Sequence, residues 1–234
     1  AINLAYLLAT AHRQRVLLID ADAQANATRT LLLDGDYDGL AALLESKVIC
    51  YDEAIEHTEI PNLDMVPASS ELRNIDLGLV TREGTAALRA IRDLRDNVAE
   101  DDAYDVIVID CPPGFTAACV AAILASNSLI IPVLPDAFSA EGMDDLVEQI
   151  DGVRKLQPDI RVAGCLVTQW HNADVVLDAT DYLRTDGPIP VFDTVIRRTD
   201  KVLESTWAKQ PVLMWSPNSS AARDYRAWVN ELIT

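Results

Sequence analysis

The chain has 234 residues, 50% of them hydrophobic, which is enough to bury a sizeable core. Its formal net charge of -18 at pH 7 opposes simple binding to nucleic acid or to anionic lipid. No stretch approaches the roughly 20 consecutive apolar residues needed to span a bilayer, and the four cysteines show no C-x-x-C pair, which argues against an iron–sulfur carrier.

Apolar strands and helical segments alternate along the chain. The predicted strands are Arg15 to Asp20, Leu63 to Pro67, Tyr104 to Asp110, Leu129 to Leu134, Arg161 to Thr168 and Val191 to Ile196. The predicted helices are Ala1 to Ala11, Gly39 to Glu45, Tyr51 to Ile55, Ser69 to Leu79, Thr85 to Val98, Ala117 to Ala125, Ala140 to Leu156, Val175 to Arg184, Lys201 to Ala208 and Ser220 to Ile233. This order predicts an α/β fold with a three-layer, doubly wound, mostly parallel sheet. Because no repeat, low-complexity tract or linker divides the chain, we expect a single domain over residues 1–234.

The first predicted strand ends in two carboxylates. Val16 to Ile19 is an apolar run that suits a strand buried on both faces, and Asp20 and Asp22 follow it. Open α/β sheets bind ligands at the carboxyl ends of their strands. The alternative is a strand followed by a solvated acidic turn. Polar side chains continue the segment at Gln24, Asn26 and Thr28.

A second apolar strand also ends in a carboxylate. Asp110 closes the run from Tyr104, and the prolines of Cys111 to Gly114 stop the strand because proline cannot donate to a ladder. An apolar strand closed by one Asp is typical of a Walker B motif, whose carboxylate lies near a nucleotide-bound Mg²⁺ and contacts it through water.

The motifs together resemble the ParA/MinD group of ATPases, which carry a deviant Walker A motif. The match lies in six segments in the family's order: Ala1 to Ala5, Arg15 to Thr28, Asp110 to Pro113, Leu129 to Val133, and the late signatures Thr194 to Arg198 and Ser219 to Tyr225. One departure is Ala23, where the family usually has proline. The resemblance implies a P-loop NTPase-like fold with ATP and Mg²⁺ as cofactors.

The family's phosphate-binding P-loop, of the form K-G-G-x-G-K-T, would precede Ala1 and does not occur in the sequence. Its backbone N–H groups and its lysine cradle the phosphates, so the chain as given is expected to bind ATP poorly. We expect that about 20 residues, one strand and the loop, precede this segment in the intact protein. A natural pseudo-ATPase that lacks the loop is the alternative.

The resemblance implies a role for each site residue. Asp22 matches the carboxylate that orients the attacking water, and Asp20 matches the position that supports magnesium and the switch region. A capping or turn carboxylate is the alternative for Asp20. Asp110 matches the Walker B carboxylate, so Asp20 and Asp110 are the expected magnesium residues, acting through water. Thr168 and Arg197 match positions that line the adenine.

The late part of the chain is locally basic. From Thr194 to Trp228 six cations face three acidic residues, and a mixed solvated surface is one interpretation. The other is a patch for the DNA backbone, formed by Arg197, Arg198, Lys201, Arg223 and Arg226.

The family resemblance therefore predicts a Mg²⁺-dependent ATPase that drives plasmid or chromosome partitioning. ATP would join two protomers, the homodimer would bind DNA nonspecifically in the cytoplasm at the nucleoid, and a ParB-type protein would activate hydrolysis. A MinD-like positioning ATPase that acts on protein partners is the alternative. Membrane targeting is disfavoured because the final segment from Tyr225 is short and not strongly basic. The cobyrinic acid diamide synthases share the fold but usually carry a further glutaminase domain, for which this chain has no room.

Overall fold

The computed structural model describes residues 1–32, 35–37, 39–45, 50–79, 87–114, 116–136, 147–148, 150–152, 154–155 and 157–234. These residues form two compact units, residues 1–125 with 209–211 and residues 126–208 with 212–234. The single domain stays a prediction. The helix predicted from Ala140 to Leu156 falls largely outside the described residues.

The first unit contains a four-stranded sheet in the order β2–β3–β1–β4. Its strands are β1 (Val16–Asp20), β2 (Glu56–His57), β3 (Leu63–Val66) and β4 (Val106–Asp110). β1 pairs in parallel with both β3 and β4, and all five of its residues are buried. The mostly parallel sheet is therefore confirmed. The antiparallel strand β2 was not predicted, because two residues are too short to show an alternating pattern.

Helices cover both faces of this sheet. They are α1 (Ile2–Thr10), α2 (Asn26–Leu31), α3 (Gly39–Leu44), α4 (Leu72–Leu79), α5 (Ala87–Glu100), α6 (Ala117–Ala125) and a 3-10 helix (Tyr51–Ala54). Leu17 and Ile19 of β1 pack in one hydrophobic cluster with α3, α4, α5 and α6. Helix α1 contacts β1, β3 and β4, and its buried residues lie outside that cluster. Alternate residues of β1 thus face opposite helical layers.

The second unit is built on two parallel strands, β5 (Ser128–Val133) and β6 (Arg161–Val167). Its helices are α7 (Asp174–Thr185), α8 (Asp200–Trp207), α9 (Val212–Trp215) and α10 (Ser220–Ile233). A core cluster joins Val133, Cys165 and Val167 to Leu183 of α7. No helix within the described part of either unit combines the length and apolar character needed to cross a bilayer.

The strand predicted from Val191 to Ile196 is wrong. Single bridges pair Val191 with Cys165 and Arg197 with Trp170, and no continuous strand connects them. Between the bridges, the backbone N–H groups of Asp193 and Thr194 donate to the carboxylate of Glu231 at 2.6 and 3.0 Å. Because the side chain of Glu231, on α10, accepts these two hydrogen bonds, the two backbone N–H groups do not contribute to a strand ladder.

Candidate functional site

Asp20 is a fully buried carboxylate at the carboxyl end of β1, with 0% of its surface exposed. Its Oδ2 accepts hydrogen bonds from Thr28 N at 2.9 Å and Thr28 Oγ1 at 2.8 Å, and its Oδ1 accepts from Asp22 N at 3.2 Å. Burial raises the pKa of Asp20, these hydrogen bonds lower it in part, and the charge of Asp110 raises it further.

The contact with Thr28 explains a helix that was not predicted. Helix α2 begins at Asn26 after Ala25, which has a left-handed φ of 54°. Thr28 N is one of the donors that a helix leaves unsatisfied at its amino end, and Asp20 accepts from it. Asp20 therefore has the capping role weighed as the alternative.

Asp22 lies in the turn between β1 and α2. Its Oδ1 accepts from Gln24 N at 2.9 Å, and its carbonyl oxygen accepts from Ala25 N at 2.8 Å. Unlike Asp20, Asp22 is only partly buried. A carboxylate in this position is both fixed by its turn and accessible to a substrate or a water molecule.

Asp110 ends β4 directly beside Asp20. The two are paired residues of the parallel ladder between β1 and β4, and Ala21 N donates to Asp110 O at 2.8 Å just beyond the strand end. The Asp110 carboxylate accepts no hydrogen bond from the residues that the structure describes. The structure thus brings Asp20, Asp22 and Asp110 to one edge of the first unit's sheet.

These residues fit a magnesium ion held through water. Within the described ranges, no group of three or more His, Cys, Asp or Glu side chains is arranged as a direct metal site. Both oxygens of Asp20 already accept hydrogen bonds, whereas Asp110 is half-buried and has open acceptor capacity. Because Mg²⁺ keeps several of its waters, a single carboxylate acting through water matches its usual chemistry.

The two predicted adenine residues lie in the second unit. Thr168 follows β6, and its N and Oγ1 both donate to Val133 O, at 2.8 and 3.2 Å. Arg197 donates from its backbone N and its Nε to Asp224 Oδ2, both at 2.9 Å, and from Nη2 to Oδ1 at 2.6 Å. The carboxylate hydrogen bonds raise the pKa of Arg197, which stays charged.

Asp224 was not predicted as a partner for Arg197. It is 8% exposed and lies on α10, 27 residues beyond Arg197. The only signal in the sequence was that Asp224 stood as an acidic residue in a basic segment. A cavity of about 500 Å³ in the same unit is lined by Trp170, residues of α7, Asp193 and Val195, and it contains neither Thr168 nor Arg197.

The five residues predicted to contact DNA fall into two groups. Three are held by their own unit: Arg197 by Asp224, Lys201 by Glu204 at 2.7 Å, and Arg226 by the carbonyl oxygen of Pro217 at 2.7 Å. In contrast, the side chains of Arg198 and Arg223 are exposed and have no partner among the described residues. Arg198 follows Arg197 in the chain and Arg223 precedes Asp224, so each exposed arginine is adjacent in sequence to one member of the ion pair.

Comparison with known proteins adds independent findings. A family model described as an AAA domain matches residues 1–162. The chromosome partitioning protein ParA of Myxococcus xanthus is 32% identical over 242 residues, covering 100% of this chain and 82% of the relative. The cell division protein PomZ of the same organism is 31% identical, covering 93% of this chain and 68% of PomZ.

A solved structure shows the same fold. Cobyrinic acid a,c-diamide synthase from Mycobacterium smegmatis, with bound ADP and magnesium, superposes with a TM-score of 0.81 at 23% identity. The likeness covers 99% of this chain and 86% of the synthase.

Proposed function

The chain belongs to the ParA family, and we propose that it is an ATP-driven dimerisation switch in plasmid or chromosome partitioning that binds DNA nonspecifically. The observation that carries the proposal is the pairing of buried Asp20 with Asp110 at the ends of adjacent parallel strands. Asp22 lies beside them in a partly exposed turn. Carboxylates at such an edge are what a nucleotide-bound metal and an attacking water require.

The proposed cofactors are ATP and Mg²⁺, as in the synthase crystallised with ADP and magnesium. Magnesium would supply charge neutralisation at the phosphates. Asp110 would hold it through water, Asp20 would support the same region as a fixed buried charge, and Asp22 would orient the attacking water. We also propose that Thr168 and Arg197 line the adenine, where Arg197 can offer its aliphatic stem and its Nη1, which bonds no carboxylate among the described residues.

DNA binding is proposed for the exposed arginines of the second unit. Arg198 and Arg223 are the two predicted contacts whose guanidinium groups have no carboxylate partner among the described residues. They can therefore reach phosphates without breaking an ion pair. Arg197, Lys201 and Arg226 would contribute less, because contact with DNA would compete with their present bonds.

An ATP-dependent homodimer would double this patch and overcome the net charge of -18. Nucleotide binding would thus control DNA binding, and a ParB-type activator would end the cycle by stimulating hydrolysis. This scheme places the protein at the nucleoid in the cytoplasm.

The test measures retention of the intact protein on immobilised duplex DNA at low salt, with ATP, with ADP and without nucleotide. We expect retention with ATP only, together with a concentration-dependent dimer by light scattering. ATP hydrolysis measured alongside distinguishes an ATPase from a pseudo-ATPase. The absence of ATP-dependent retention, even at low salt, would reject the DNA-binding switch.

A second candidate is a positioning ATPase that acts on a protein partner, and the similarity to PomZ, a cell division protein, is compatible with it. The favouring observation is an apolar surface on α8 and α9. Trp207 is 90% exposed and Leu203, one turn earlier, is 64% exposed, while Trp215 of α9 is 45% exposed. ATP hydrolysis that is stimulated by a protein and indifferent to DNA would favour this candidate.

A further inference from the structure

Thr28 joins two elements at the acidic edge of the first sheet. Its hydroxyl donates to Asp20 Oδ2 at 2.8 Å and accepts from Ala68 N at 2.9 Å. Thr28 is 5% exposed, so these two hydrogen bonds are shielded from bulk solvent. One buried hydroxyl therefore connects the end of β1 to the segment that follows β3.

The segment that follows β3 is itself held in place. Leu40 N donates to Pro67 O at 2.9 Å. Gly39 lies so close that an added Cβ would be 2.2 Å from the same oxygen. Ala68 N is thus a fixed donor. Because a hydroxyl has one hydrogen, accepting from Ala68 directs the hydrogen of Thr28 toward Asp20.

We propose that Thr28 is a positioning residue for Asp20 in ATP hydrolysis. It acts through Asp20 and does not touch the nucleotide. Thr28 supplies two of the three hydrogen bonds that Asp20 accepts from the described residues, one from its backbone and one from its hydroxyl. Loss of the hydroxyl would leave Ala68 N without its acceptor and would hold the buried Asp20 carboxylate less firmly, with one hydrogen bond to Oδ2 in place of two.

This inference rests on the proposed function and deepens it. Two substitutions separate the hydroxyl from the shape of the side chain: Thr28→Val keeps the shape, and Thr28→Ser keeps the hydroxyl. Thr30→Val is the matched control, since the hydroxyl of Thr30 donates only to Asn26 O within α2, at 2.7 Å. The measurements are kcat, the KM for ATP and the thermal midpoint of the intact protein.

We expect Thr28→Val to lower kcat about tenfold while the KM for ATP stays within about twofold. Thr28→Ser and Thr30→Val should stay within about twofold of the wild type in both constants. If the valine variant does not fold, Thr28→Cys replaces it, because a thiol is a weak donor. Its kcat should then fall below that of Thr28→Ser.

Three results would overturn the inference alone: a wild-type kcat for Thr28→Val, a serine variant as impaired as the valine variant, or equal kcat for Cys and Ser. A wild-type protein with no ATP hydrolysis would instead overturn the proposed ATPase and this inference with it. The two failures are therefore distinguishable.

Discussion

Arg197 and Asp224 form a multidentate contact that fixes both a backbone and a side chain. Asp224 Oδ2 accepts from the backbone N and the Nε of Arg197, both at 2.9 Å, and Oδ1 accepts from Nη2 at 2.6 Å. Asp224 is 8% exposed. Loss of the Asp224 charge would weaken its hydrogen bonds to Arg197 and leave the partly exposed guanidinium without its counter-charge.

Asp224→Asn should therefore destabilise the protein by about 2 kcal/mol, a figure reduced because Arg197 is partly exposed. Equilibrium unfolding in urea measures the change. Asp181→Asn is the control, since Asp181 is exposed on α7 and its side chain has no described partner. Equal effects from both substitutions would show that the contact adds nothing to stability.

Removal of the two unpaired arginines should weaken DNA binding selectively. We expect Arg198→Ala combined with Arg223→Ala to reduce ATP-dependent DNA affinity at least about tenfold and to lower the salt slope by about 2 per protomer, hence by about 4 for the dimer. The charge-matched control is Arg73→Ala with Arg89→Ala on exposed positions of α4 and α5. Similar losses in both double variants would mean that only net charge matters.

Asp22→Asn should separate hydrolysis from folding. The asparagine keeps an oxygen that can accept from Gln24 N, so the turn before α2 should be preserved. A neutral side chain no longer attracts the proton of an attacking water, so kcat should fall at least about tenfold. Steady-state hydrolysis and nucleotide binding measure the two effects, and unchanged kcat would remove Asp22 from the reaction.

Glu231 should make stability depend on acidic pH. Burial by itself raises the pKa of Glu231. Hydrogen bonds from Thr194 and Asp193 and the charge of Arg184 lower this pKa by more, so the net pKa lies below its ordinary value. Its stabilisation is complete above the ordinary value of 4.5 and is lost as pH falls through the lower folded-state pKa.

Glu231→Gln should thus cost about 1 kcal/mol at pH 7 and flatten the loss of stability on acidification. Urea unfolding at several pH values checks both effects. Glu100→Gln, on an exposed position at the end of α5, should leave the pH dependence unchanged. A Glu231→Gln curve parallel to that of the wild type would contradict the prediction.

Gly39 should not tolerate a side chain. Its φ is +39°, and an added Cβ would lie 2.2 Å from Pro67 O, so Gly39→Ala should destabilise by about 3 kcal/mol. Gly152→Ala is the matched control, because no atom of the described residues lies within 4 Å of its added Cβ. Thermal unfolding compares the two, and equal midpoints would contradict the close approach.

The sequence predicted the elements whose signal is local. Apolar runs closed by Asp20 and Asp110 identified β1 and β4. β1 is buried on both faces, which leaves a continuous hydrophobic stretch, whereas only Val108 of β4 is buried. The strand predicted at 191–196 is wrong because backbone N–H groups of this segment donate to Glu231, which is 38 residues from Asp193. Helix α2 was missed because its amino end depends on a carboxylate eight residues away. Long-range polar contacts leave no periodic pattern in a sequence.

The same principle limits what could be predicted of the site. A parallel sheet implied that Asp20 and Asp110 lie at the same edge, since parallel strand ends meet there, and the structure pairs the two residues. The sequence did not distinguish paired from unpaired cations among the late basic residues. That distinction depends on Asp224, Glu204 and a carbonyl oxygen, which only the fold brings into contact.

Helix α10 holds the segment from Asp193 to Arg197 at two points, through Glu231 and Asp224, which are two helical turns apart. Local unfolding of α10 would release both anchors together. Amide hydrogens of the helix and of this segment should therefore exchange with solvent as one cooperative group. Fraying at the carboxyl terminus of α10 would therefore also loosen the arginines that are proposed to bind nucleotide and DNA.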